Sequence, residues 1–309
     1  MSLIKIKTLF ENLISYDAWS IQLLKIKNSK RNGTSYIGRD ITLKPDGRLN
    51  EFIAEISARY TNTKNGILFS YADVTDYDGS AISTTIYKLA VSNPLISKEY
   101  NTLITTIANP DNELDPLEFS PQAYLLKGIV KIDDEEYPVK LVSMQRPVTN
   151  LKHKFFNDNG TFKELSDKVL SLKPVVDVII FGNCIYLLAF SGENLFNMER
   201  SYKAVCSEKI ENIKQCDILT DAATFASIAS TGHNPRRFIS FNENRLEKIK
   251  DKKYLLEMAE KFSIPLSGDK FDTTKEGTSE KIVKLLCNKG MLDPFDDIPV
   301  EVAGSKQWV

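Results

Sequence analysis

The sequence predicts an α+β fold, with a strand-rich first half carrying interspersed helices, then a β-hairpin and a largely helical second half. Three observations lead there. Two pairs of apolar, β-rich arms each flank a short polar turn. Apolar residues recur at helical spacing through most of the chain after residue 190. No regular alternation of strand and helix suggests a parallel sheet. A chain of 309 residues suffices for one large domain or two ordinary ones. A soft boundary falls around 145–160, giving regions 1–147 and 148–309, unless the two are one continuous fold. Apolar content of 42% and charged content of 26% are near the globular average, so a core is expected.

In order, residues 3–15 read as a short amphipathic helix, and WSIQLLKIK as a strand. DGRLNEFIAEISARY places Leu49, Phe52, Ile53 and Ile56 on one helical face. GILFSYADV and STTIYKLAV are strand candidates separated by the turn YDGS. Pro94 opens a helix that ends before Pro110. QAYLLKGIVKIDDEEYPVKLVSMQ reads as a hairpin around the acidic turn Asp133-Asp134-Glu135-Glu136.

The clearest element follows: VVDVIIF and CIYLLAF around Gly182-Asn183, a pair suited to a tight primed turn. GENLFNMERSYKAVCSEKIENIKQ then carries Leu195, Met198, Tyr202, Val205, Lys209 and Ile213 at helical spacing. DAATFASIAS and SEKIVKLLCNKG are further helices.

Charge and composition narrow the function classes. The formal net charge is −1, and residues 151–309 carry 23 basic and 23 acidic side chains. A polyanion site must therefore be a local patch. Four scattered cysteines fit no zinc spacing, and two histidines exclude a histidine-rich metal site. A carboxylate-only Mg²⁺ site stays open. The N-terminus lacks a long apolar leader region, and the longest apolar run holds Asp177 and breaks at Gly182-Asn183. A soluble, cytoplasmic protein is expected. No phosphate-binding glycine loop and no nucleophile elbow occur, and no cofactor is expected.

Asp177 is the one strand carboxylate that suits a metal-dependent nuclease, but no Glu-x-Lys follows it on a paired strand. Asp251-x-Lys253 has the spacing in a helical context. The DDEE run reads as a solvated turn. His153 and His233 both lie in basic surroundings, which suits polar or phosphate contacts better than general-base work. Arg200 and Lys203 share one side of a helix, and Glu199–Lys203 is a favourably ordered i,i+4 ion pair.

The stretch from Gly232 to Phe262 holds seven basic and three acidic residues between Arg236 and Lys253. Gly232 reads as a helix terminator, Asn234 as an N-cap and Pro235 as the first helical residue. Arg236 and Arg237 then occupy a first turn, where each cation opposes the helix dipole by about 0.3–1 kcal/mol. Exposed amides beside two guanidinium groups suit a phosphate. One helix across 245–262 would put Arg245, Lys248 and Lys252 on the same face as Ile249 and Leu256. Two helices resolve this conflict. Asp251 caps the second, and Leu255, Leu256, Met258, Ala259 and Phe262 form its buried face. The basic residues then gather at the junction.

LSDKVLSLKPVVDVIIFGNCIYLLAFSGENLFNMERSYKAV, followed by GHNPRRF and the helical tail, resembles the KwaB family of the Kiwa anti-phage defence system. The resemblance is densest over Val148–Phe241 and continues more weakly through YDGS, LIS and AYLLKGIV. It implies a cytoplasmic effector that binds double-stranded DNA and assembles as a dimer or larger array. It also implies a KwaA-like membrane partner that senses infection, and a block on phage DNA replication and expression. It brings no catalytic residue.

Three readings follow. The first is a DNA-binding effector without turnover. Arg236 and Arg237 lead its phosphate contacts, with Arg245, Lys248, Lys252 and Lys253 in support and Arg200 and Lys203 beyond them. The second is a metal-dependent nuclease built on Asp177. The third is an adaptor to a membrane protein that does not bind DNA.

Overall fold

The computed structural model describes residues 3–15, 19–29, 33–61, 73–80, 82, 85–115, 119–150, 154–158, 161–165, 168–293, 296 and 298–302. At 3–5, 73, 149–150, 154–158, 161–165 and 168 it describes the backbone alone. The fold is α+β, strand-rich in its first half and mostly helical in its second. The chain forms two compact units. One comprises Met1–Asp76 with Ser83–Asn197, the other Tyr77–Ile82 with Met198–Val309.

The first unit begins with α1 (Leu3–Glu11), a short 3₁₀ turn (Leu13–Ser15), β1 (Ser20–Ser29), β2 (Gly33–Ile41) and α2 (Arg48–Thr61). It continues through β3 (Asp73–Asp76), β4 (Thr85–Ala90), α3 (Ser97–Ala108), β5 (Ala123–Ile132) and β6 (Glu135–Ser143). Short strands β7 (Val148–Asn150), β8 (Lys154–Asp158), β9 (Thr161–Leu165) and β10 (Lys168–Leu170) precede β11 (Val178–Phe181) and β12 (Cys184–Leu187). A 3₁₀ segment, Phe190–Phe196, ends the unit. Eight strands make one sheet in the order β2-β1-β5-β6-β11-β12-β4-β3.

Both expected hairpins are present. In β5–β6, Ile132 pairs with Glu135. The turn is thus Asp133-Asp134 alone, with φ of 52° and 65°. Two left-handed residues make the turn whose twist matches the strands, so Glu135 and Glu136 belong to β6. In β11–β12, Phe181 pairs with Cys184 and Gly182 takes φ 57°. The second hairpin also pairs with the first, Val142 of β6 facing Val178 of β11. The expected division at 147/148 therefore cuts through one sheet, and the compact units divide after Asn197.

YDGS is not a hairpin turn between antiparallel neighbours. β3 and β4 are parallel, with Asp73 facing Thr85, and a tight turn cannot close a parallel pair. The chain instead leaves the sheet at Asp76, contributes Tyr77–Ile82 to the second unit, and returns. Residues 66–72 of the strand candidate GILFSYADV lie outside the described residues.

The core of the first unit follows the strand period of two. Ile21 and Leu23 of β1, Tyr124 and Leu126 of β5, Val139 and Leu141 of β6, and Ile179 of β11 share one buried cluster with Leu9, Phe10, Ile53 and Ile56 of the helices. Each such side chain stabilises the fold by about 1.5–3 kcal/mol on burial. Leu49 packs at the edge of the same cluster, as its spacing predicts.

The second unit runs α4 (Met198–Lys214), α5 (Ala222–Ala229), α6 (Asn234–Arg237), a 3₁₀ turn (Phe238–Ser240), α7 (Glu243–Ile249) and α8 (Lys252–Lys261). Then come β13 (Leu266–Ser267), β14 (Lys270–Phe271), α9 (Thr278–Leu286), β15 (Gly290–Leu292) and β16 (Pro299–Glu301). Asn197, left-handed at φ 48°, breaks the helix expected from Gly192 onward, so α4 starts only at Met198. Asp221 caps α5 by accepting from Ala223 N and Thr224 N. Asp251 caps α8 as expected, accepting from Lys253 N and Tyr254 N. Leu255 and Ala259, one turn apart, face the core. Leu256, about 100° around from Leu255, is 44% exposed, which corrects its expected burial. Among the described residues no helix is long and apolar enough to cross a membrane.

Candidate nucleic-acid interface

The N-cap expected at Asn234 lies one residue earlier, and Arg236 and Arg237 make contacts within the fold. α6 is a single turn whose N-cap is His233, without a side-chain capping bond. Asn234 is buried, and its side chain is engaged elsewhere. Its Nδ2 donates to Ile228 O at 3.1 Å and its Oδ1 accepts from Arg237 Nη1 at 2.7 Å. The Asn234 amide already donates to Thr231 O, and Pro235 has no N–H.

The guanidinium groups are engaged as well. Arg236 Nε donates to Tyr77 Oη at 3.3 Å and Nη2 to Ser80 O at 3.5 Å. Its Cζ lies 5.9 Å from the Tyr77 ring centroid, within cation–π range. Arg237 Nη2 donates to Glu301 Oε1 at 2.8 Å. Glu301 Oε2 also meets Lys284 Nζ at 2.7 Å. The Lys284 hydrogen bond, with the Lys284 and Arg237 charges, holds the Glu301 carboxyl below its ordinary 4.5. Arg245 Nη1 donates to Leu285 O at 2.6 Å, and burial pulls the guanidinium below its usual value. These three arginines hold the fold of the second unit.

Arg236 is received by the Tyr77–Ser80 segment. Gly79 has φ 77°, and a Cβ there would collide with the Arg236 carbonyl oxygen, so only glycine allows this approach. Lys289, with a side chain 5% exposed, donates to Ser80 Oγ at 2.6 Å and lies 3.3 Å from Asp78 Oδ2. Asp78 Oδ2 in turn accepts from Ser80 Oγ at 2.8 Å. Sequence reasoning missed Asp78, Ser80 and Lys289. No local pattern marks them, because the partners are 209 and 211 residues apart.

The exposed cations form two separate sets. At the α7–α8 junction, Lys248, Lys252 and Lys253 are exposed. Lys252 pairs with Asp269 at a side chain 74% exposed. Lys248 and Lys253 have no acidic partner among the described residues. Arg200 and Lys203 lie at the start of α4, and Lys203 pairs with Glu199 as the i,i+4 spacing predicts. The bridge between α4 and α7 is Lys209 to Glu243, 2.8 Å. Arg200 is nine residues before Lys209, about 13 Å along the helix axis, so the two sets are not brought together there.

Asp177 is 7% exposed and accepts from Met144 N at 2.6 Å, Ser191 Oγ at 2.5 Å and Ser143 Oγ at 3.5 Å. It ties the start of β11 to the end of β6. Among the described residues no group of three or more His, Cys, Asp or Glu could hold a metal ion. Cys206 and Cys287 are buried, and burial pushes the Cys206 thiol up to about 11. His233 is exposed, and His153 lies outside the described residues.

Comparison with curated proteins gave no match, and comparison with solved structures gave none either. The family model described as Kiwa protein KwaB-like matches residues 128–291, which spans the β6–β11 pairing that joins the two hairpins, the basic stretch and α9. That match covers more than half of the chain, so the protein belongs to the KwaB-like family of Kiwa proteins.

Proposed function

We propose that this component of Kiwa anti-phage defence binds double-stranded DNA through its phosphates. In this reading it acts as a homodimer or higher oligomer and works with a KwaA-like membrane protein to block phage DNA replication and expression. The observation that carries the DNA contact is the α7–α8 junction, where Lys248 and Lys253 are exposed without acidic partners among the described residues and Lys252 holds only a solvated pair. An exposed pair contributes about 0–1 kcal/mol, so a phosphate readily replaces Asp269. Arg200 and Lys203 supply a second contact set. Arg236, Arg237 and Arg245 add positive charge to the same unit while holding it together. A net charge of −1 makes a lone patch weak, and symmetric doubling in an oligomer compensates.

Against the nuclease alternative stands the packing of Asp177, whose carboxylate accepts from three donors. The test is fluorescence anisotropy with labelled duplex DNA across a salt series, with and without Mg²⁺. Lys248→Gln/Lys253→Gln is expected to weaken binding and to lower the log–log salt slope by about one per lysine. An unchanged slope overturns the assigned surface. No binding by the wild type at physiological salt favours the adaptor, and Mg²⁺-dependent loss of DNA favours the nuclease.

A further inference from the structure

A pocket of about 260 Å³ opens in the second unit between α9 and the β15–β16 hairpin. Its apolar lining is Phe262, Leu285, Pro299 and Val300, and Lys281, Lys284 and Glu301 bring charge to it. Lys289 contributes only its stem, because its ammonium is committed to Ser80 and Asp78. A second cavity of about 290 Å³ shares Phe262, Leu285 and Gly290, so the Phe262 ring lies against both.

The charges around the pocket do not balance. Lys281 Nζ donates to a neutral carbonyl, Ser263 O, at 2.7 Å. Lys284 meets Glu301 at 2.7 Å, but Glu301 also serves Arg237 at 2.8 Å. Two cations therefore share one carboxylate, and Lys281 has no acidic partner among the described residues. Each ammonium has three donors, and the hydrogen bonds seen use one on each lysine. The Glu301 side chain is 45% exposed on a short edge strand. The cavity lies just below the range of about 300–1,000 Å³ for ligand sites, which suits a body of two or three rings and not a peptide.

We propose that this pocket binds a small amphipathic anion, with a flat apolar body on Phe262 and Leu285 and one carboxylate, sulfonate or phosphate held by Lys281 and Lys284. The anion shares Lys284 with Glu301 and supplies the countercharge that Lys281 lacks among the described residues. None of these residues belongs to the proposed DNA contacts, so the two readings stand or fall separately.

The probe is anilinonaphthalene sulfonate, titrated into the full chain by calorimetry. The comparison is phenylnaphthylamine, the same ring system without the sulfonate. One site per chain is expected, and phenylnaphthylamine should bind at least about tenfold more weakly, because a hydrogen bond to a charged group contributes about 1.5–3 kcal/mol. Lys281→Gln and Lys284→Gln should each weaken the sulfonate by a similar factor. Glu301→Gln, which removes the competing carboxylate, should tighten it several-fold. Lys281 is exposed, so its substitution leaves folding intact even if Glu301→Gln does not. Equal affinity for the two dyes, or indifference to both lysine substitutions, overturns the proposal. Displacement of the dye by duplex DNA also overturns it, since the pocket would then be part of a nucleic-acid surface.

Discussion

The Asp78–Ser80–Lys289 cluster makes an asymmetric prediction about its two charges. Lys289→Met places an apolar side chain in an apolar-lined position and leaves Asp78 with 21% of its side chain exposed. Asp78 still accepts from Ser80 N and Ser80 Oγ, both at 2.8 Å. The main loss is one charge-assisted hydrogen bond to Ser80, about 1.5–3 kcal/mol. Asp78→Asn does the opposite. It leaves the Lys289 ammonium, 5% exposed, facing a neutral amide, and removing one partner of a buried pair costs about 3–5 kcal/mol. The double variant should recover part of the sum, with a coupling of about 1–3 kcal/mol. Cys206 and Cys287 are buried in the core of the second unit, so the urea dependence of their alkylation, read by peptide mass, reports that unit alone. With a urea slope of about 2 kcal/mol per molar, the midpoint should fall by about 1 M for Lys289→Met and about 2 M for Asp78→Asn. If Lys289→Met is the more damaging, or if the two add without coupling, the cluster is not the ion pair described.

Two further outcomes are expected from the same unit. Gly79→Ala should lose about 1–2 kcal/mol from its left-handed backbone, plus a steric cost against the Arg236 carbonyl. Gly268→Ala, at φ 64° with open space around it, should lose only the backbone part, so equal midpoints for the two variants would remove the close approach from the account. The Asp221 carboxyl is held below its ordinary 3.8, chiefly by the Thr224 amide. Its folded pKa is depressed, so its contribution is complete above 3.8 and disappears as pH falls through the folded value. Asn caps a helix comparably but does not titrate. Wild type should therefore lose ground to Asp221→Asn only in acid below that point, and a constant gap between them across pH would refute the assignment.

The parts of the fold legible in the sequence are those whose cause is local. The Gly182-Asn183 hairpin, the Asp251 cap that splits α7 from α8, and the Glu199–Lys203 pair each depend on residues within a few positions of one another. The unreadable parts depend on distant partners. Nothing near β6 announces that Val142 will face Val178. Nothing in YDGS shows that its neighbours pair in parallel. The basic stretch hides its partners for the same reason. Nothing beside Arg236 shows that Tyr77, 159 residues earlier, lies against it. Asn234 resembles a cap until its amide is found donating to Ile228. Charge in a sequence is visible, and its neutralising partner usually is not.

The detour of the chain through Tyr77–Ile82 has a consequence for how the protein is made and cut. The arm emerges from the ribosome long before Lys289, 209 residues after Ser80, exists to receive it. The second unit therefore cannot close until Lys289 has been made, and the first unit must leave a loop out while it waits. A single scission cannot release the second unit intact. A fragment starting at Met198 would carry Arg236 and Lys289 but not Tyr77, Asp78 or Ser80. Its lysine would lose the contacts to Ser80 and Asp78. Adding the missing hexapeptide in trans is the natural attempt at repair.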